Sequence, residues 1–73
     1  MNQAKILFKF QGDKNLIEVS SKDDICKLIN NREFYFPEEI KPDDIEFNSD
    51  FYNKSYVVVV KGNGIGYINQ PIS

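Results

Sequence analysis

Tyr56-Val57-Val58-Val59-Val60 followed by Lys61-Gly62-Asn63-Gly64 constrains this chain more than any other stretch. Valine and tyrosine favour a pleated surface, so the run predicts the strongest strand in the sequence. Asn63-Gly64 between two apolar runs predicts a tight hairpin turn, because that pair accepts positive φ at both central positions. Ile65-Gly66-Tyr67-Ile68 then reads as the returning strand, with Gly66 marking a bulge or a close backbone approach. A phosphate-binding loop is excluded by spacing. Lys61 precedes the glycines, no helix signal follows them, and "GNGIG" lacks the Gly-x-Gly-x-x-Gly spacing of a dinucleotide site.

Four consecutive valines also place apolar groups on both faces of their strand, as in strands buried on two sides. Something must therefore lie over each face. The expected cover for the second face is the aromatic middle of the chain; another copy or a partner protein is the alternative.

The start of the chain predicts a second hairpin. Ile6, Phe8 and Phe10 alternate with Lys5, Leu7 and Lys9, the period of a half-buried strand. Gln11 to Asn15 has turn composition, and Leu16-Ile17-Glu18-Val19 reads as the return. Ser20 or Ser21 then caps a helix of about ten residues. Ser21 and Asp24 approximate a capping box, and Asp23 and Asp24 suit the positive end of the helix. Ile25, Leu28 and Ile29 form its apolar stripe, with Cys26 on the flank and Asn30-Asn31 at the end.

Pro37 and Pro42 interrupt the middle and forbid a long regular element there. Ile45-Glu46-Phe47 reads as a short strand, and "NSDFYNKS" as a loop. The fold class expected is α+β, a single domain over residues 1–73: a mixed or antiparallel four- to five-stranded sheet with one helix on one face. With a single cysteine, no internal disulfide supports it.

The run "ILFKFQGDKNLIEVSSKDDICKLI" resembles the opening of ubiquitin-like β-grasp domains. That resemblance implies a helix crossing the sheet, with a later strand joining beside the first. The valine strand is expected in that place, parallel to Ile6–Phe10. It also implies a scaffold used for protein binding; Gln70-Pro71-Ile72-Ser73 lacks the Gly-Gly used in conjugation.

Catalytic chemistry finds few candidates. The sequence has no histidine, the commonest general base. Cys26 lies beside an apolar stripe and reads as a core or half-buried thiol, not a nucleophile. The pairs Asp23/Asp24, Glu38/Glu39 and Asp43/Asp44 read as solvated faces. The expectation is a non-enzymatic protein with no cofactor and no metal.

Charge is unevenly placed. Residues 33–50 hold seven carboxylates, Glu33, Glu38, Glu39, Asp43, Asp44, Glu46 and Asp50, against Lys41 alone, within a net charge of −2. The same segment and its continuation hold Phe34, Tyr35, Phe36, Phe47, Phe51 and Tyr52. An acidic aromatic surface suits a basic protein groove, with rings as anchors and carboxylates for steering. It would repel a nucleic-acid backbone.

The function expected is a small protein-interaction module. Its contact residues are Glu33, Tyr35, Glu38, Glu39, Asp43, Asp44, Phe51 and Tyr52, and its partner is another protein, of basic character. Two alternatives stand beside it. One is a small acidic inhibitor, such as a phage-encoded antagonist of a host nucleic-acid enzyme, competing for a basic groove. The other is a structural subunit, such as a homodimer, assembling through the valine strand or the edge of the last strand. No apolar run reaches a membrane span of roughly 20 residues, and Met1 to Lys5 lacks the apolar stretch of a signal peptide. A soluble, cytoplasmic protein is expected.

Overall fold

The computed structural model describes residues 5–32 and 35–72. Five strands and one helix follow in the order β1 (Ile6–Phe10), β2 (Ile17–Val19), α1 (Lys22–Asn30), β3 (Ile45–Asp50), β4 (Ser55–Val60) and β5 (Asn63–Ile68). A 3-10 turn, Pro42–Asp44, precedes β3. The sheet is antiparallel throughout, in the order β2-β1-β5-β4-β3. It is an α+β domain with one helix on one face. No helix among the described residues is long and apolar enough to cross a membrane.

Both hairpins of the expected architecture form, but they join differently. The place beside β1 belongs to β5, paired antiparallel with Phe8 opposite Ile68 and Phe10 opposite Gly66. The valine strand β4 lies one position further out, between β5 and β3. It runs in the direction of β1 without pairing with it. The tight turn after Val60 leads the chain straight back alongside β4, so the last strand fills the gap that a parallel valine strand would need.

That turn is centred on Lys61-Gly62 and not on Asn63-Gly64. Lys61 and Gly62 have φ of 49° and 84°, and Val60 faces Asn63 as the closing pair. Asn63 Nδ2 donates to the Lys61 carbonyl at 3.4 Å. The reason lies in the core. A regular hairpin about Asn63-Gly64 would put Ile65 and Tyr67 on one face and Ile68 on the other. The observed turn is followed by a register shift, with Val59 opposite Gly64 and Val58 opposite Gly66. Ile65 is the extra residue, and the bulge turns both Ile65 and Ile68 into the core while Tyr67 is half-buried.

The core lies between the sheet and α1. Phe8, Phe10, Val19, Ile25, Cys26, Ile29, Ile40, Ile45, Val58, Val60, Ile65 and Ile68 are buried in it. Cys26 is buried with Ile25 and Ile29, whereas Leu28, expected in the apolar stripe, is only partly buried. Ser21 caps the helix, its Oγ accepting from Asp24 N–H at 3.4 Å. The reciprocal arm of the box reaches one residue further back than expected. The Asp24 carboxylate accepts from the Ser20 N–H and the Ser20 hydroxyl, both at 2.8 Å. Those two bonds, the backbone one first, hold its pKa below the ordinary carboxylate value.

Tyr35, Phe36 and Phe47 also pack against this core, on the helix side. Phe51 and Tyr52 stand in solvent. Among the described residues, the middle aromatics therefore do not cover the second face of the valine strand. On that outer face Val57 and Val59 are half-buried by their cross-strand neighbours Tyr67, Asn48 and Glu46.

Gly66 is where the two halves of the sheet meet. A Cβ there would overlap the Lys9 carbonyl oxygen and crowd the Phe10 Cα at 3.1 Å. At Gly64 the nearest atom to a Cβ is Val57 Cγ1, at an ordinary 3.5 Å. Gly66→Ala is expected to destabilise the domain by about 1–3 kcal/mol through forced separation of β1 from β5. Gly64→Ala should change stability little. Urea unfolding midpoints of the two variants test this pair.

Candidate functional site

The residues singled out in the sequence fall into two groups that the fold sets apart. Glu38, Glu39, Asp43 and Asp44 gather where the chain enters β3, beside the Lys61-Gly62 turn. Phe51 and Tyr52 lie at the opposite end of the same strand. β3, about 17 Å from Ile45 to Asp50, lies between the groups. Glu33 lies outside the described residues, as does Phe34.

The acidic corner is positioned from the helix. The Asn30 side chain clamps the backbone of buried Ile40: Ile40 N–H donates to Oδ1 at 2.7 Å, and Nδ2 donates to the Ile40 carbonyl at 3.1 Å. Ile40 anchors the segment between Pro37 and Pro42, leaving Glu38 and Glu39 exposed on one side of it. Glu38 pairs with Lys61 at 3.4 Å, with 79% of its side chain still in solvent. Such an exposed pair contributes little to stability. Asp44 has a local duty. Its Oδ2 accepts from Lys41 N–H at 3.0 Å and closes the 3-10 turn. Asp43 is exposed.

Tyr35 is drawn away from both groups. Its ring stacks on Phe10 at 5.5 Å and 14°. The Arg32 guanidinium lies 3.9 Å from the Phe10 ring centre and pairs with Asp13. The ring closes the end of the core beneath β1, so Tyr35 is a packing residue.

The aromatic tip is the reverse case. Phe51 is 88% exposed and Tyr52 93%, their rings meeting edge to face at 6.1 Å. Two adjacent rings this exposed are costly in water unless something else uses them. They are nevertheless held in place. Asp50 Oδ1 accepts from the N–H groups of Tyr52 at 3.1 Å and Asn53 at 3.2 Å, and Oδ2 accepts from Asn53 Nδ2 at 2.7 Å. Lys54 completes the reversal with φ of 52°. The stretch is not the single loop that its composition suggests: Asn48, Ser49 and Asp50 belong to β3, and only Phe51 to Lys54 form the turn. The missed signal was the alternation Ile45, Phe47 against Glu46, Asn48, which continues the period of two past Phe47.

Beside the tip, the outer face of the sheet is concave. Leu7, Lys9, Leu16, Tyr67, Asn53 and Ser55 line an open depression of about 500 Å³. Leu16 stands 62% exposed at its rim, outside the return strand it was expected to begin.

Cys26 is buried, and removal from water pushes its thiol pKa up, with the carboxylates of Asp23, Asp44 and Glu39 adding to the effect. A raised pKa withholds the thiolate that nucleophilic chemistry needs. Among the described residues no three histidine, cysteine, aspartate or glutamate side chains cluster as a metal site. Comparison of the chain with protein-family models, curated proteins and solved structures gave no match.

The Asn53 side-chain bond, followed by the Asn53 and Tyr52 N–H groups, holds the Asp50 carboxyl below its ordinary value of 3.8. A carboxyl with a depressed folded value stabilises its turn fully above the unfolded pKa and loses that effect as pH falls through the folded one. The tip should therefore remain ordered down to pH 3.8 and loosen only below it. An acid titration followed by the Tyr52 and Asn53 amide NMR shifts should show a midpoint under that value, absent in Asp50→Asn.

Proposed function

We propose that this chain is a non-enzymatic protein-interaction module. Its contacts are made by the Phe51–Tyr52 tip, with the carboxylates of the adjoining segment steering the partner. The observation that carries the reading is the tip itself: two aromatic rings, 88% and 93% exposed, on a turn that Asp50 fixes. Aromatic side chains are the commonest energetic centres of protein interfaces, and a turn ordered in advance lowers the entropy lost on binding.

The distribution of charge supports a basic partner. Glu38, Glu39 and Asp43 are exposed on the segment that leads into β3, whose far end carries the tip. Long-range attraction of this kind accelerates encounter more than it strengthens the final complex. Tyr35 drops out of the contact set because its ring is stacked on Phe10. Asp44 contributes charge but also closes the 3-10 turn.

Assembly of copies through the backbone of the valine strand has no support in this topology. Both β4 and β5 are interior strands with a neighbour on each side. The sheet ends at β2 and β3.

The deciding experiment is affinity capture from the native lysate after nuclease treatment, comparing the tagged wild type with the double variant Phe51→Ser, Tyr52→Ser. One dominant partner is expected on the wild type. Loss of a ring at an interface centre costs about 2 kcal/mol or more, so the double variant should retain under a tenth of it. Equal recovery by the two proteins, with the fold of the variant intact, would remove the tip from the contact.

A further inference from the structure

We infer that the open edge of β3 receives an extended segment of the partner protein as an added antiparallel strand, and that this segment alternates basic with apolar residues. The inference rests on the interaction-module reading and gives its partner a form.

β3 is a terminal strand of six residues that pairs with β4 alone. Its hydrogen-bonding phase is fixed at two points. Lys61 N–H donates to the Asp44 carbonyl at 3.3 Å, which turns Asp44 toward β4. Val60 closes a two-residue turn with Asn63, so its backbone groups point to β5, and Ile45 opposite it points away from β4. Glu46, Asn48 and Asp50 therefore bond to β4, while Ile45, Phe47 and Ser49 aim their N–H and C=O groups at the open edge.

Ile45 is already satisfied. Its N–H donates to the Pro42 carbonyl, and its carbonyl accepts from Lys22 Nζ at 3.4 Å. Phe47 and Ser49 remain, presenting donor and acceptor in pairs to the outside. Sheet edges are ordinarily blunted by shortness, proline, a bulge or an edge lysine. The other edge strand, β2, has only three residues. β3 has six, without proline, lysine or a register shift of its own; the lysine nearest the edge, Lys22 of α1, bonds the Ile45 carbonyl at its start.

Charge selects the occupant. From Pro42 to Asp50 the chain carries Asp43, Asp44, Glu46 and Asp50 and no cation. A second copy of this chain is disfavoured. The phase allows two β3 edges to pair with Phe47 opposite Phe47, and that register sets Asp44 against Asp50 at both ends. Like charges directly opposed destabilise a strand pair. A foreign strand with lysine or arginine on the outer face meets Glu46 instead; on the helix side, where Lys22 Nζ lies 5.3 Å from the centre of the Phe47 ring, a cation would meet like charge, so its residues there are apolar. The same strand runs along the whole interval between the acidic corner and the aromatic tip.

The probe is an alternating Lys/Val heptapeptide, acetylated and amidated, titrated into the 15N-labelled full chain at low salt. Binding is expected to slow hydrogen exchange at the Phe47 and Ser49 amides and to leave the amides of Glu46 and Asn48, already bonded to β4, unchanged. A peptide of the same composition with its lysines grouped should bind about tenfold more weakly, because it cannot put lysine on the Glu46 face and valine on the Phe47 face together; one N-methylated on its valines, whose N–H groups face Phe47 and Ser49, should weaken similarly through loss of edge hydrogen bonds. Ser49→Pro removes one outward N–H, a substitution edge strands tolerate, and should weaken binding similarly.

Equal binding of the grouped or N-methylated peptides would show attraction by charge alone and overturn strand addition. So would an absence of binding, or unprotected Phe47 and Ser49 amides in the bound state. Concentration-dependent protection of those amides without peptide would assign the edge to a second copy and overturn the proposed occupant. Each of these failures leaves the capture result for the Phe51–Tyr52 tip standing, so the two readings fail separately. The N-methylated peptide decides the matter if Ser49→Pro does not fold.

Discussion

The close approach of the Lys9 carbonyl to Gly66 is the contact on which the rest of this structure depends. It joins an opening hairpin to a three-stranded meander and makes one sheet from two pieces. Neither piece has a sufficient core alone. Phe8 and Phe10 supply the opening half, Val58, Val60, Ile65 and Ile68 the closing half, and α1 covers both. More than fifty residues separate Lys9 from Gly66 along the chain, so a large loop-closure cost falls on this seam. A glycine at the seam lets two backbones meet without a side chain between them.

The bulge at Ile65 follows from the same seam. With Phe8 and Phe10 committed to the core, β5 must also present Ile68 inward opposite Phe8. The two-residue turn and Val60 then force one extra residue into β5, and the bulge absorbs it. The result buries Ile65 as well, at the cost of a local break in the ladder. Packing of two isoleucines outweighs the turn preference of Asn63-Gly64, which is worth far less than a buried side chain of about 1.5–3 kcal/mol.

The same topology explains where the surface is open. Putting β5 between β1 and β4 places the most apolar strand inside the sheet and sends β3 to the edge. The helix lies over one face only. What remains accessible is an acidic strand edge, an exposed pair of rings at its end, and a shallow concavity beside it. Asn30 and Asp50 are the polar residues that give this region its shape, one clamping Ile40 and the other fixing the tip. The charge carried there was legible as composition; that it follows a strand edge was not.

Local chemistry determined a great deal by itself. The alternation in Ile6–Phe10, the Ser21 cap, the proline interruptions and the valine run each fix the state of their own stretch, because backbone sterics and period need no distant partner. The fold class follows from those elements, and so does the acidity of the middle. Tertiary structure decided the remainder. Which strand lies beside β1 depends on pairing across more than fifty residues, which no local pattern encodes. The turn moved to Lys61-Gly62 because the core demanded Ile65 and Ile68 together. Tyr35 and Phe51 look alike in the sequence, yet one is stacked on Phe10 and the other stands in solvent. The difference is that Arg32 and Asn30 hold the first segment against the core, whereas Asp50 turns the second away from it.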